Sequence, residues 1–426
     1  MLIFLNKNDM ISVHRPALIA LAPGSIQTKE ILADKLQLAL MLEFSTIPPY
    51  LTAMYSMQDN GSYAYQLIRS VVLEEMLHMN LVSNLLLSIG EKPQFVSNKY
   101  FPSYPTHLPG QDAAVTGGPL LQLMPVSIPV IENVFMVVEE PARRNSPAQD
   151  INYMTIAQFY LAIWEGFKTV DEKMRKESKH LFVKNDLQKP NYYFGSGGGH
   201  PVIVTDLKTA KMAIDEIVEQ GEGAPAASGA PTEPNENFGT KDAYAYRSDG
   251  TYGPILGAPS EQSHYYKFME VAKGNYPIGA VYPMLPNPTP ESFKGNAWAV
   301  ALSEIFNGCY SIMVAGLEKA FSSTGPDDPF FSVVFTMMQS VIPVLSVQMM
   351  QLPLTAGADP SVGPNAGPTF VLAPIGLDKL IAKVQACIDE PPSQDNITGV
   401  RATLTVVKSA LCNIQEKVKG KNYSFL

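Results

Sequence analysis

The sequence predicts a mainly α-helical protein built on a four-helix bundle, with irregular or β insertions and additional helices toward the C-terminus. Three observations carry that reading. Long stretches rich in Leu, Met and Ala repeat their apolar residues at helical spacing, and the first two, 28–57 and 63–89, are separated only by the polar turn Asp59-Asn60-Gly61. Two Glu-x-x-His pairs, Glu75/His78 and Glu261/His264, occur in a chain with only six histidines. Glycine and proline gather in connections, notably 92–146, 221–259 and 353–375.

In chain order, 28–57 and 63–89 should pair as an antiparallel helical hairpin. From Lys92 to Ser146 prolines recur and β-branched runs such as Val134–Val138 appear, which predicts an irregular, partly β connection. Helical patterning returns at 155–175 and 206–219. The Gly/Pro/Ala/Asn-rich segment after Gly221 cannot hold a long helix and should form a surface loop. Ser260 is the expected N-cap of a helix reaching about Lys273. Further helices are expected at 294–321, 330–352, 376–389 and 397–419. The bundle then occupies 25–275, with insertions at 91–150 and 221–259, and 276–426 is a C-terminal helical region packed on it.

Composition narrows the partners. A formal charge of -9 without a Lys/Arg cluster offers no footprint for nucleic acid or an anionic membrane, which leaves a small organic molecule or another protein. Cys309, Cys387 and Cys412 lie far apart and outside any CxxC spacing, as in a reducing compartment, so a cytoplasmic location is expected. The N-terminal MLIFLNKNDMISVHRP lacks the pattern of a secretory signal. Residues 330–358 carry no charge, but Pro343, Pro353, three glutamines and flanking aspartates argue for a buried helix rather than a membrane span.

At about 100° per residue, Glu75 and His78 share a face with Val71, Val82, Leu85 and Ile89. A carboxylate on an apolar stripe is costly to bury unless a cation compensates it. Glu74, at the edge of that face, is placed to support the site from behind. Glu261/His264 repeats the spacing, with Tyr265, Phe268 and Ala272 on its face. Dinuclear carboxylate bundles use one Glu from each of two helices and Glu-x-x-His from each of the other two. Glu43 fits the first single position, on one face with Leu32, Leu36, Ala39, Leu40 and Ile47. For the second, Glu165 points away from the apolar face of its helix, whereas Glu219 and Glu222 end the helix that precedes the Glu261 loop. Glu222 ranks slightly ahead of Glu219, and both stay open. Carboxylates and imidazoles suit two iron ions, or manganese, better than zinc or copper.

Leu36–Tyr55 (LQLALMLEFSTIPPYLTAMY), Leu67–Gly90 (LIRSVVLEEMLHMNLVSNLLLSIG), Ile217–Gly223 (IVEQGEG) and His264–Phe268 (HYYKF) resemble the bacterial ferritin-like family that includes the violacein-type iminophenylpyruvate dimer synthase. The resemblance covers roughly 25–275. It implies a ferritin-like fold and oxidative chemistry on an amino-acid-derived substrate, and its Gln-Gly-Glu-Gly segment favours the Glu219/Glu222 end over Glu165.

The expected activity is that of a di-iron oxidase or oxygenase that uses dioxygen or peroxide to oxidise a small organic molecule. The alternatives are a ferroxidase-type iron-handling protein and a purely structural metal site. His14, His107, His180 and His200 sit singly in loop-like contexts. Met337-Met338 and Met349-Met350 read as core, and Gly195–Gly199 lacks the Lys-Ser/Thr of a phosphate loop. The loop before Glu261, with Tyr244, Tyr246 and Tyr252, is the expected cover of the metal end of the bundle.

Overall fold

In a computed structural model, residues 25–142, 146–193, 199–222, 262–393, 397–421 and 423–425 are described. The first hairpin forms as the apolar spacing requires. Helix α1 (Lys29–Ser56) starts where the Thr28 hydroxyl accepts from the Ile31 N–H, and α2 (Tyr63–Ser88) where Ser62 accepts from Tyr65. Side chains satisfy these N–H groups, which have no carbonyl partner inside the helix. Pro48 and Pro49 lie inside α1 and remove two helical donors. One loss is made good from outside: the Tyr104 hydroxyl donates to the Ser45 carbonyl at 2.7 Å, the acceptor Pro49 leaves unused.

The 91–150 connection is only marginally β. Thr106–His107 (β1) and Leu120–Leu121 (β2) pair antiparallel, and a turn of helix spans Ala113–Thr116. The Val134–Val138 run, expected as extended, belongs instead to helix α3 (Ile128–Val138), which widens to π geometry over Ile131–Phe135. Its Ile131, Val134, Phe135 and Val138 are buried, so packing decided against β propensity.

Helices α4 (Ile156–Lys176) and α5 (Leu207–Gly221) complete the bundle, α5 beginning with a capping box between Asp206 and Thr209. The contacts close a ring in which α1 packs on α2, α2 on α5, α5 on α4 and α4 on α1. Helix α6 (His264–Ala272) lies against both α2 and α3. Its cap is Ser263, whose hydroxyl accepts from the Tyr266 N–H, rather than the expected Ser260, which falls outside the described residues.

The C-terminal helices are α7 (Ala297–Ala320), α8 (Gly325–Met350, partly π), α9 (Leu377–Asp389) and α10 (Ile397–Lys417). Helix α8 packs on α1 and α7, and buried apolar residues from Ile26 to Tyr423 form one hydrophobic cluster. By length and composition α7 and α8 could each cross a membrane; the apolar window of α7 is 72% buried and that of α8 44% buried within this fold.

A polar clamp fastens the extended 365–375 segment to α7. Buried Asn307 accepts through Oδ1 from the Thr369 hydroxyl and the Val371 N–H, and Ser311 accepts from the Ala373 N–H. Gly308 permits the approach, since a Cβ there would lie 2.7 Å from the Ile375 side chain. Asn307→Ala would strand the buried Thr369 hydroxyl and the partly buried Val371 N–H, and should cost about 1–3 kcal/mol in denaturant unfolding. Unchanged stability would show that the clamp contributes nothing.

Candidate metal centre

Glu43 on α1 and Glu75 and His78 on α2 meet inside the hairpin. His78 Nδ1 lies 3.3 Å from Glu43 Oε2, and the Thr46 hydroxyl donates to Glu75 Oε2 at 2.9 Å. As α1 advances from 43 to 46, its partners on α2 step back from 78 to 75, which confirms the antiparallel register. His264, the first residue of α6, enters from the other side. Its Nδ1 is 3.0 Å from Glu75 Oε1 and 3.5 Å from Oε2 of Glu139, the residue that follows α3. Among the described residues two groups with metal-ligand spacing result, Glu43–Glu75–His78 and Glu75–Glu139–His264, all buried and joined through Glu75.

Each carboxylate has one oxygen held by a hydroxyl and the other turned toward an imidazole. Tyr160 of α4 donates to Glu43 Oε1, Thr46 to Glu75 Oε2, and Tyr50 to Glu139 Oε1, the last at 2.7 Å. The imidazoles are oriented from behind as well. His78 Nε2 lies 3.0 Å from Gln220 Oε1, and His264 Nε2 lies 2.8 Å from Glu74 Oε2. Both outer partners accept, so each ring in its neutral form carries its proton on Nε2 and turns the lone pair of Nδ1 toward the carboxylates. His264 Nδ1 has no hydrogen bond although two carboxylate oxygens face it. Unprotonated, lone pairs aimed at one another in a buried site repel; protons relieve that in the metal-free protein, and a divalent ion fits the same donor set.

Four carboxylates, Glu43, Glu74, Glu75 and Glu139, are buried with one ammonium, Lys267, whose Nζ contacts both oxygens of Glu74 at 2.7 Å. Protonation responds to that excess. Burial, with repulsion from Glu139, pushes Glu75 up to about 7. Burial draws both imidazoles downward but is outweighed, at His264 by Glu139, Glu74 and Glu75, and at His78 by Glu43, so both are raised. Burial also raises Glu74, but Lys267 and His264 outweigh it and hold the carboxyl below its usual range.

The structure brings four of the seven expected ligands, Glu43, Glu75, His78 and His264, to one place. Glu219 and Glu222 belong to neither group, and the third glutamate there is Glu139. Glu222 is buried, but its two oxygens accept the N–H groups of Ala142 and Ala157, and burial pushes it up to about 8. Glu219 is half-buried one turn earlier, and Glu165 is half-buried on α4 outside both groups. Glu261 lies outside the described residues, as do Tyr244, Tyr246 and Tyr252. Sequence reasoning missed Glu139 because it sits in the proline-rich connection. Tyr160 had a legible signal, a polar tip on the apolar face of 155–175, and Gln220 lay within the Gln-Gly-Glu-Gly segment.

A ferritin-like family model matches residues 36–273. The chain is 24% identical, over 81% of its length, to the 2-imino-3-(indol-3-yl)propanoate dimerase of Chromobacterium violaceum. It is 25% identical, over 36% of its length, to the dichlorochromopyrrolate synthase of Lentzea aerocolonigenes. It spans only 35% and 15% of those two relatives. A crystal structure of a ferritin-like protein from Caulobacter vibrioides matches with a TM-score of 0.49 at 22% identity, over 73% of this chain and 93% of that one.

The raised groups make a signed prediction for metal-free protein. A group whose folded value lies above its unfolded one stabilises below the unfolded value and loses that contribution as pH rises through the folded value. For Glu75 and Glu222 the loss runs from 4.5 to about 7 and about 8, and the two histidines act in the same direction. Lowered Glu74 acts oppositely, but only as pH falls below 4.5. The unfolding midpoint in chelator should therefore fall as pH is raised from 5 to 8, read by calorimetry; a midpoint that climbs over that range would refute the assignment of these protonation states.

Proposed function

The chain belongs to the ferritin-like family, and on that premise we propose that it is a di-iron oxidoreductase in which dioxygen or peroxide accepts electrons from a small organic substrate. One observation carries the reading: two imidazole Nδ1 atoms, each oriented by an acceptor behind its ring, face carboxylate oxygens on either side of a shared glutamate, Glu75. Glu43, Glu75 and His78 would hold one ion, and Glu75, Glu139 and His264 the other. Glu139 takes the place expected for Glu219 or Glu222. Iron fits this oxygen-rich, thiolate-free set, and manganese is the alternative. Bound there, a redox-active pair supplies the electron exchange with dioxygen or peroxide that protein side chains lack.

The chain's own groups do the rest. Gln220 and Glu74 fix the imidazole tautomers, Tyr160, Thr46 and Tyr50 fix the carboxylates, and burial keeps bulk water away. An organic substrate is supported by an apolar pocket, partly open to solvent, between the hairpin and the C-terminal helices. Phe44, Met76, Met79, Tyr310, Met338 and Phe370 line it, and Phe44 and Met76 follow Glu43 and Glu75 in the sequence. Such walls suit an aromatic molecule. The name of the Chromobacterium violaceum relative points the same way, to an aromatic 2-imino acid as the class to try first.

Metal analysis of protein purified without added metal should find two ions per chain, mostly iron, and the ferrous protein should consume dioxygen or peroxide. His78→Ala and His264→Ala should each lose mainly one ion, Glu75→Ala should disturb both, and Glu165→Ala should change neither. Full loading of His78→Ala with unchanged affinity would sink the assignment. Iron oxidation with no organic molecule altering its rate would favour ferroxidase action, and a metal needed for folding but inert to oxidants would favour a structural site.

Met76→Trp should fill the cavity. Two ions should still bind, while the acceleration of dioxygen uptake by an aromatic imino acid should fall at least tenfold. An unaltered acceleration would place the substrate elsewhere.

A further inference from the structure

Among the described residues, the two halves of the centre follow one plan and differ behind the imidazoles. Each has its own glutamate, Glu43 or Glu139, a share in Glu75, and one imidazole Nδ1. A tyrosine hydroxyl steadies each outer glutamate, Tyr160 on Glu43 and Tyr50 on Glu139. The difference lies behind the imidazoles: the neutral amide of Gln220 accepts from His78, whereas the carboxylate of Glu74 accepts from His264.

From this we infer that the centre loads in order, the subsite of His264 and Glu139 binding its divalent ion first and more tightly than the subsite of His78 and Glu43. The inference rests on the metal reading above and deepens it. A charged acceptor makes a hydrogen bond about twice as strong as a neutral one, and it makes the opposite ring nitrogen a better donor. Two effects compete here. The negative charge of Glu74 would itself attract a cation, but Lys267, 2.7 Å from both its oxygens, cancels most of that field. What survives is the acceptor strength of the carboxylate, passed through the His264 ring. Lys267 thus acts as a positioning residue: buried and in contact with both oxygens of Glu74, it holds that side chain against His264 Nε2.

Anaerobic titration with Fe2+, followed by calorimetry, and with Co2+, followed by its visible bands, tests this on the full chain. Two binding steps at least tenfold apart are expected. His264→Ala should abolish the tighter step and His78→Ala the weaker. Because Glu74→Gln alone would leave Lys267 unpaired in the core, the double variant Glu74→Gln/Lys267→Met replaces one neutral pair by another. It should weaken the tighter step about 10- to 100-fold, the usual effect of losing an outer partner of a ligating histidine. Gln220→Glu should instead tighten the weaker step and narrow the gap. Two ions bound with indistinguishable affinity, or a tighter step lost in His78→Ala, would overturn the ordering while leaving the metal reading intact. A protein that binds neither ion would overturn that reading and the ordering together.

Discussion

Everything around this centre answers one constraint: four carboxylates and one lysine are buried together in the hydrophobic interior. Removing an ion from water costs several kcal/mol even after the protein relaxes. Lys267 compensates one carboxylate by direct contact, and the other three turn their unengaged oxygens toward imidazole Nδ1 atoms. Hydroxyls from α1 and α4 hold the opposite oxygens, so the carboxylates cannot swing apart to relieve the repulsion. The protein is preorganised for positive charge, and the upward shifts of Glu75 and both histidines express the same demand in protons.

That demand explains the division of labour among the helices. The α1–α2 hairpin supplies Glu43, Glu75 and His78. Helices α4 and α5, which close the ring, contribute Tyr160 and Gln220, groups that orient without carrying charge to the centre. The second half arrives from outside the ring, through the end of α3 and the start of α6. A cluster assembled from six helices is held at sub-ångström tolerance only if those helices are packed, and α3 and α6 pack on each other through Phe135 and Phe268 and on α1 through Tyr50.

Much of this was legible in the sequence, because the physics that hides a carboxylate on an apolar stripe is local to a helix. Glu43, Glu75, His78 and His264 could be found by counting around helical faces. Glu139 could not, because its placement depends on a three-dimensional return of the chain through a proline-rich segment whose β-branched residues read as extended. Only tertiary burial of Ile131, Val134 and Phe135 turns that segment into a helix. The helix boundaries in the C-terminal region were readable for the same local reason, but not the π turns of α8, which follow from packing on α7 and α10. The Asn307 clamp was likewise hidden, since nothing local distinguishes a buried asparagine that joins distant segments from one that faces water.

Glu222 shows how a correct signal can point to a different role. It is buried, it sits at the end of α5, and it belongs to the segment that marks the family resemblance, all of which a ligand would share. Yet its carboxylate accepts the N–H of Ala142, three residues past Glu139, and the N–H of Ala157 in the first turn of α4, whose next turn presents Tyr160. A carboxylate is well placed there, at the positive end of the helix dipole. One side chain therefore joins the end of α5, the start of α4 and the segment that delivers Glu139. Gln220, two residues earlier on the same turn, meanwhile holds His78. The Gln-Gly-Glu stretch sets the spacing between the two halves of the centre without entering either: Gln220 fixes an imidazole on one side, and Glu222 fixes the chain that carries a carboxylate on the other. A residue pattern can be tied to a metal centre because it builds the frame, and burial alone does not separate that role from ligation. The separation comes from asking what each oxygen already accepts.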